Sequence, residues 1–241
     1  VISVVVVDAN TPGNVGTIAR AMKNFGFEEL KLVDPPELDR DGEAYGFAGR
    51  AREDVLPNAE EVTFDEVVER YHTVGFTATT NEDARRHVRF PFRTPAQLAA
   101  DLAGVEADTA LVFGRERVGL ANEELARLDQ VCAIPASADY PVLNLGQAAT
   151  IALYELRGLA MDDSQLPEVE RERAAEPEIE RFYERFDRML ESVRYPEEKR
   201  GKTMRLVRRL VGRAHPTSRE ITTLHGVLRA IERVSEGASE R

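Results

Sequence analysis

Over its first 160 residues the chain alternates short apolar runs with helix-period patterns, and this alternation restricts the fold more than any other feature. Val1–Asp8, Leu30–Asp34, His72–Thr77, Thr109–Phe113 and Gln130–Ile134 read as strands. Apolar spacings of three and four predict helices at Asn14–Phe25, Thr94–Ala103 and Ala121–Leu128, and a long one at Gly146–Asp162. The expected fold is α/β, a mostly parallel sheet with helices on both faces, over residues 1–162. No Gly-x-Gly-x-x-Gly follows the first strand, so a Rossmann dinucleotide site has no support.

Residues 163–177 are charged, contain two prolines and lack periodicity, which predicts a linker. Residues 178–241 then read as a small all-α extension. Ile179, Phe182, Tyr183, Phe186 and Leu190 make one apolar stripe. Thr217 and Glu220 have capping-box spacing ahead of a second stripe, Ile221, Leu224, Val227, Leu228, Ile231 and Val234. A unit this small needs support from the main domain or from a second subunit.

The net charge of −11 argues against binding nucleic acid over the whole surface. The charge is unevenly spread, however. Residues 199–219 hold eight basic side chains and no acid, so the rest of the chain carries −19. Arg205, Arg208 and Arg209 are expected on one helical face, with Leu206, Val207 and Leu210 on the other. Four lysines stand against 28 arginines, a bias that a halophilic host and a GC-rich genome would both produce.

The single cysteine, Cys132, cannot form an internal disulfide and lies in an apolar run, so a buried inert thiol is expected. No apolar stretch approaches the roughly 20 residues of a membrane span. Val1–Val7 is too short and lacks the basic flank of a signal peptide. A cytoplasmic setting is expected, without membrane contact. His72, His87, His215 and His225 are scattered, and no metal site is expected.

Three blocks could carry chemistry. Pro12–Gly26 follows the first strand; Val15, Ile18, Met22 and Phe25 form its core stripe, and Arg20 points away from it. Arg20 therefore faces solvent, a cleft or a partner subunit. The second block, Leu111–Leu125, ends a buried strand in Gly114-Arg115-Glu116, at the carboxyl edge where open α/β sheets bind ligands. Its Arg and Glu could equally pair with each other. The third block, Tyr140–Ala148, sets Asn144 between two leucines, where its amide must hold backbone groups or a ligand.

Taken together, Asn14 and Arg20 after the first strand, Phe-Gly-Arg-Glu-x-x-Gly-Leu at 113–120 and Leu-Asn-Leu at 143–145 resemble the three motifs of the SPOUT-class RNA 2′-O-ribose methyltransferases, in order and spacing. Ala19-Arg-Ala-Met, Leu111–Leu125 and the tail Lys202-Thr-Met-Arg-Leu-Val-Arg-Arg-Leu are similar to the branch that methylates tRNA nucleotide 32 in the anticodon loop. The resemblance covers nearly the whole chain. It implies a trefoil knot near residues 113–148 and S-adenosylmethionine as cofactor. It also implies a homodimer whose active site draws on both subunits. The cofactor would lie against Phe76, Thr77, Ala78, Gly114, Ile134, Pro141, Val142, Leu143 and Asn144. Arg20 would be catalytic, with Asn14, Glu116 and Asn144 as its organisers. Bacterial relatives usually carry Ser where this chain has Val142, so no role for that hydroxyl transfers.

A guanidinium with a pKa above about 12 is a poor general base. Arg20 is expected instead to stabilise the developing alkoxide and grip the adjacent phosphate. Lys202, Arg205, Arg208, Arg209 and Arg213 are expected to contact tRNA phosphates. The competing expectations are a ribosomal-RNA methyltransferase of the same class and a catalytically silent RNA-binding dimer.

Overall fold

Six parallel strands form one sheet in the order β3-β2-β1-β5-β4-β6, in a computed structural model that describes residues 1–80, 88–162, 164–165 and 172–239, with side chains described to residue 235. The strands are β1 (Ile2–Val7), β2 (Glu29–Val33), β3 (Glu60–Glu61), β4 (His72–Phe76), β5 (Thr109–Phe113) and β6 (Gln130–Cys132). The central β1 and β5 are almost entirely apolar because both sheet faces are covered there, while the edge strand β3 is two exposed glutamates. Side chains alternate as the pleat requires. Val4 and Val6 enter a core with Ile18, Met22, Leu111 and Leu153, while Val5 and Val7 enter a second core with Val67, Val112 and Leu125.

The first core packs under α1 (Pro12–Asn24), α4 (Pro95–Leu102) and α6 (Leu145–Leu156). The second packs under α3 (Phe64–Arg70) and α5 (Asn122–Leu125). Pro12 sits in the first turn of α1, where its missing N–H costs nothing. Gly26, at φ +80°, ends that helical segment as expected. Two expected helices are shorter in the structure. The Ala121–Leu128 pattern yields only α5, and the Gly146–Asp162 pattern yields α6 followed by a 3₁₀ turn at Arg157–Leu159. Four further elements are described in this part, β3, α3, the five-residue α2 (Glu43–Phe47) and a 3₁₀ turn at Gly49–Arg52.

Order along the sheet reverses between β1 and β5. From β1 the chain proceeds outward to β2 and β3, and β5 and β4 lie on its other side. The loops leaving β1 and β5 therefore diverge from neighbouring carboxyl ends, which opens a crevice there.

The chain divides into two units, Val1–Gln165 and Leu166–Arg241. The second consists of α7 (Glu176–Ser192), α8 (Glu197–Ala214) and α9 (Ser218–Ser239). Of the expected linker, residues 163 and 166–171 lie outside the described residues, as does His87. Its end is helical, because Pro177 occupies the first turn of α7, where proline is tolerated. Ile179, Phe182, Tyr183 and Leu190 of α7 pack with Ile221 and Leu228 of α9. The rest of the expected α9 stripe, Leu224, Val227, Ile231 and Val234, is at least partly exposed. The Thr217–Glu220 capping box forms: the Thr217 amide donates to Glu220 Oε2 at 2.7 Å, and the Glu220 amide to Thr217 Oγ1 at 3.3 Å.

Candidate active site

Glu116 is the hub of the crevice between β1 and β5. Its Oε2 accepts from the Asn10 amide at 2.8 Å, and its Oε1 from the Thr11 amide at 3.1 Å and from Asn14 Nδ2 at 2.7 Å. Thr11 precedes α1, so the carboxylate also sits at the positive end of that helix. Partial burial acts to raise the Glu116 carboxyl, but the donated hydrogen bonds outweigh it and hold the group below its ordinary range.

Asn14 passes the chain onward, its Oδ1 accepting from Asn144 Nδ2 at 3.1 Å. Asn144 caps α6, its Oδ1 accepting from the Gly146 amide at 2.9 Å and the Gln147 amide at 3.3 Å. Its side chain is exposed rather than buried between the leucines, yet both ends of the amide are engaged. Capping and site assembly are thus done by one residue. Gly146 allows α6 to lie against α1, since a Cβ there would come within 2.8 Å of Thr17 Cγ2.

Arg115 does not pair with Glu116. Its Nε donates to Asp8 Oδ2 at 2.7 Å, and its two Nη groups donate to the Glu124 carboxylate at 3.0 Å each. This fork ties the end of β1 to α5, and the bidentate bond to Glu124 raises the Arg115 pKa further. Arg115 is thereby a brace with all three guanidinium nitrogens engaged.

Beside this network lies a cleft that is open to solvent. Its walls include Phe76, Thr77, Ala78, Gly114, Ile134, Pro141, Val142 and Leu143, eight of the nine residues expected to meet the cofactor. Asn144, the ninth, is turned toward Asn14 instead. Phe76 and Phe113 stack in the wall with centroids 4.3 Å apart. Gly114 is needed because a Cβ there would meet Gly119 C and Leu120 N at 2.3 Å. The turn 115–119 can therefore fold back onto the strand end. Arg89, absent from the expected set, also lines the cleft, and no periodicity marks it in the sequence. Cys132 is buried below, and desolvation pushes its thiol up to about 12.

Arg20 stands apart. It is exposed on α1, outside the cleft wall, and no hydrogen bond or ion pair joins it to another described residue. Its Cδ and Nε lie 3.7 Å from where a side chain on Gly49 would begin. The chain by itself assembles Asn14, Glu116 and Asn144, and leaves Arg20 facing outward.

On α8 the basic residues divide into two sets, which corrects the expected face. Met204, Val207 and Val211 are the residues that pack, while Leu206 and Leu210 are exposed. Arg208 lies beside that packed stripe and forks onto Glu180 at 2.7 Å twice, over the Tyr183 ring. Arg200 likewise pairs with Asp187. Lys202, Arg205, Arg209 and Arg213 fall at i, i+3, i+7 and i+11, all exposed and with no ion pair among the described residues.

His72 lies beside Asp129, His215 ends α8, and His225 packs on Phe182. Among the described residues no group of three His, Cys, Asp or Glu side chains could hold a metal ion. No described helix is long and apolar enough to cross a membrane.

The model of the SpoU rRNA methylase family matches residues 1–154, and that of the tRNA methyltransferase TrmJ C-terminal domain matches residues 177–240. The chain is 37% identical over 246 residues to the tRNA (cytidine/uridine-2′-O-)-methyltransferase TrmJ of Klebsiella pneumoniae, covering 98% of each. It is 36% identical over 225 residues to the tRNA (cytidine-2′-O-)-methyltransferase TrmJ of Methanocaldococcus jannaschii, covering 92% of this chain and 96% of the relative. Among solved structures, TrmJ from Zymomonas mobilis ZM4 superimposes with a TM-score of 0.67 at 29% identity, over 96% of this chain and 99% of that one.

Proposed function

The chain belongs to the SpoU methylase family, in its TrmJ branch, and from that premise we propose that it methylates the ribose 2′-oxygen of nucleotide 32 in the tRNA anticodon loop. The observation that carries this reading is the Glu116–Asn14–Asn144 hydrogen-bond chain, set at the strand carboxyl ends beside the Phe76–Phe113 cleft.

The residues present fit S-adenosylmethionine. The cleft lies at the carboxyl ends of β4 and β5. Its walls combine apolar side chains and strand-end backbone, suited to a flat base and a thioether chain, with the polar Thr77, Thr79, Arg89, Arg115, Glu116 and Arg117. Phe76, Thr77, Ala78, Gly114, Ile134, Pro141, Val142 and Leu143 are the proposed binding residues; Asn144, grouped with them by the sequence, bonds Asn14 and caps α6 instead. When bound, S-adenosylmethionine supplies an electrophilic methyl group on a sulfonium.

Asn14, held by Glu116 and Asn144, is proposed to order the substrate side of the site. Glu116 stays ionised at neutral pH and is saturated by amide donors, so it acts as a strut and not as a proton acceptor. Arg20 is proposed to stabilise the alkoxide that develops as the 2′-hydroxyl loses its proton, with its fork on the neighbouring phosphate. Because Arg20 faces away from its own chain's network, the proposed assembly is a homodimer in which Arg20 serves the partner's cleft. The knot near residues 113–148 belongs to the same reading.

The stripe Lys202, Arg205, Arg209 and Arg213 is proposed to carry tRNA phosphate contact. Arg208 is placed among those contacts by the sequence reading, but its fork on Glu180 makes it the weakest member of the set. The decisive experiment is transfer of labelled methyl from S-adenosylmethionine to unmodified tRNA, followed by mapping of the modified nucleotide. Label at nucleotide 32 supports the proposal. Label on ribosomal RNA alone, or RNA binding without transfer, overturns it.

A further inference from the structure

Two lips of the cleft come from loops distant in sequence, and one side chain spans them. The first lip is the turn Thr77-Ala78-Thr79 at the end of β4. It is closed by the Thr77 hydroxyl, which donates to the Thr79 carbonyl at 3.1 Å and accepts from the Thr79 amide at 3.3 Å. The second lip is the lining turn 115–119, continued by the segment Leu120–Asn122 that leads into α5. Arg89 reaches both. Its Nη1 donates to Thr77 Oγ1. Its Nη2 and Nε donate to Asn122 Oδ1 at 3.2 and 3.4 Å, and Nη2 also lies 3.5 Å from the Leu120 carbonyl.

All of these acceptors are neutral, and no ion pair to Arg89 exists among the described residues. That is unlike Arg115 in the same wall, whose charge is neutralised by Asp8 and Glu124. A guanidinium fork holding neutral acceptors on two loops is a geometric device: it fixes their separation and orients the hydroxyl that closes the turn.

We propose that Arg89 is a cofactor-positioning residue, a clasp that holds the Thr77–Thr79 and Leu120–Asn122 lips at the spacing the nucleoside part of the cofactor requires. This rests on the reading of the cleft as an S-adenosylmethionine site. Arg89 acts through Thr77 and Asn122, and its loss leaves the two lips free to drift apart. A lysine in its place lacks the planar fork whose separate nitrogens reach Thr77 and Asn122.

The test is calorimetric titration of the full-length protein with S-adenosylhomocysteine and with 5′-methylthioadenosine, which lacks the amino-acid moiety. Arg89→Ala and Arg89→Lys are each expected to weaken both ligands alike, by about tenfold, as for loss of a hydrogen bond that organises a site. Asn122→Ala is expected to weaken both as well, and the Arg89→Ala/Asn122→Ala double variant to lose little more than Arg89→Ala alone. Melting temperatures should stay near that of the wild type. Four results would overturn the clasp: unchanged affinity in Arg89→Ala, additive losses in the double variant, full rescue by lysine, or a loss confined to S-adenosylhomocysteine. The last would make Arg89 a direct carboxylate anchor. If Arg89→Ala fails to fold, Asn122→Ala and Thr77→Val carry the same comparison. Should the wild type bind neither nucleoside, the reading of the cleft fails before the clasp is reached.

Discussion

Glu116 and Arg20 mark opposite extremes of side-chain commitment. Glu116 accepts from two backbone amides and from Asn14, so replacing it by Gln sets an NH₂ group against donors that need an acceptor. Glu116→Gln should lower stability by about 1–3 kcal/mol, the usual cost of leaving such groups unsatisfied, and denaturant unfolding checks this. The pH dependence has a definite sign. Because the carboxyl is held below its ordinary value of 4.5, its contribution to stability is fully present above that value. It is lost as the pH falls through the lowered pKa, so the gap between the unfolding midpoints of wild type and Glu116→Gln should stay constant from neutrality to near pH 4.5 and close below it. Arg20 behaves in the opposite way. With no partner among the described residues, Arg20→Ala should leave the melting temperature unchanged while methyl transfer falls by about 10²-fold or more. Arg20→Lys retains the charge and loses the fork; near-wild-type turnover in that variant, with normal RNA affinity, would refute a bidentate role.

Helix α8 shows what an element's sequence does and does not reveal. Its period is plain, but two apolar stripes compete, and the structure packs Met204, Val207 and Val211 while Leu206 and Leu210 stay exposed. The flanks decide the choice, because only that rotation brings Arg200 to Asp187 and Arg208 to Glu180. Replacing Lys202, Arg205, Arg209 and Arg213 together by Gln should flatten the salt dependence of tRNA binding, by about one unit of slope per lost phosphate contact. Arg208→Gln should change that slope little. The same logic explains what else was legible. Asn14, Glu116 and Asn144 can be read because each stands where a strand ends or a helix begins. The pairing of Arg115 with Asp8 cannot, since Asp8 lies 107 residues away and no local pattern joins them. The two-residue β3 and five-residue α2 are too short to show a period at all.

For the whole molecule, the division at Gln165 and the outward Arg20 make separate demands. The first unit holds the entire cleft and its own two cores, so a chain ending at Gln165 should keep its affinity for S-adenosylhomocysteine while its tRNA affinity drops. Equal tRNA affinity would dismiss the basic stripe as the RNA contact. Arg20 requires a test of assembly instead. Leu143→Asp places a charge in the cleft wall and should abolish cofactor binding without touching Arg20. A dimer of one Arg20→Ala subunit and one Leu143→Asp subunit then distinguishes two arrangements. If Arg20 serves its own cleft, both sites are dead and every mixture is inactive. If Arg20 serves the partner's cleft, the mixed dimer keeps one intact site, built from the arginine of one subunit and the cleft of the other. Random co-assembly makes half the dimers mixed, so activity should recover to about a quarter of wild type from two inactive parents. Methyl transfer by the co-expressed pair, compared with each parent alone, reads this directly. Absence of recovery would return Arg20 to its own chain.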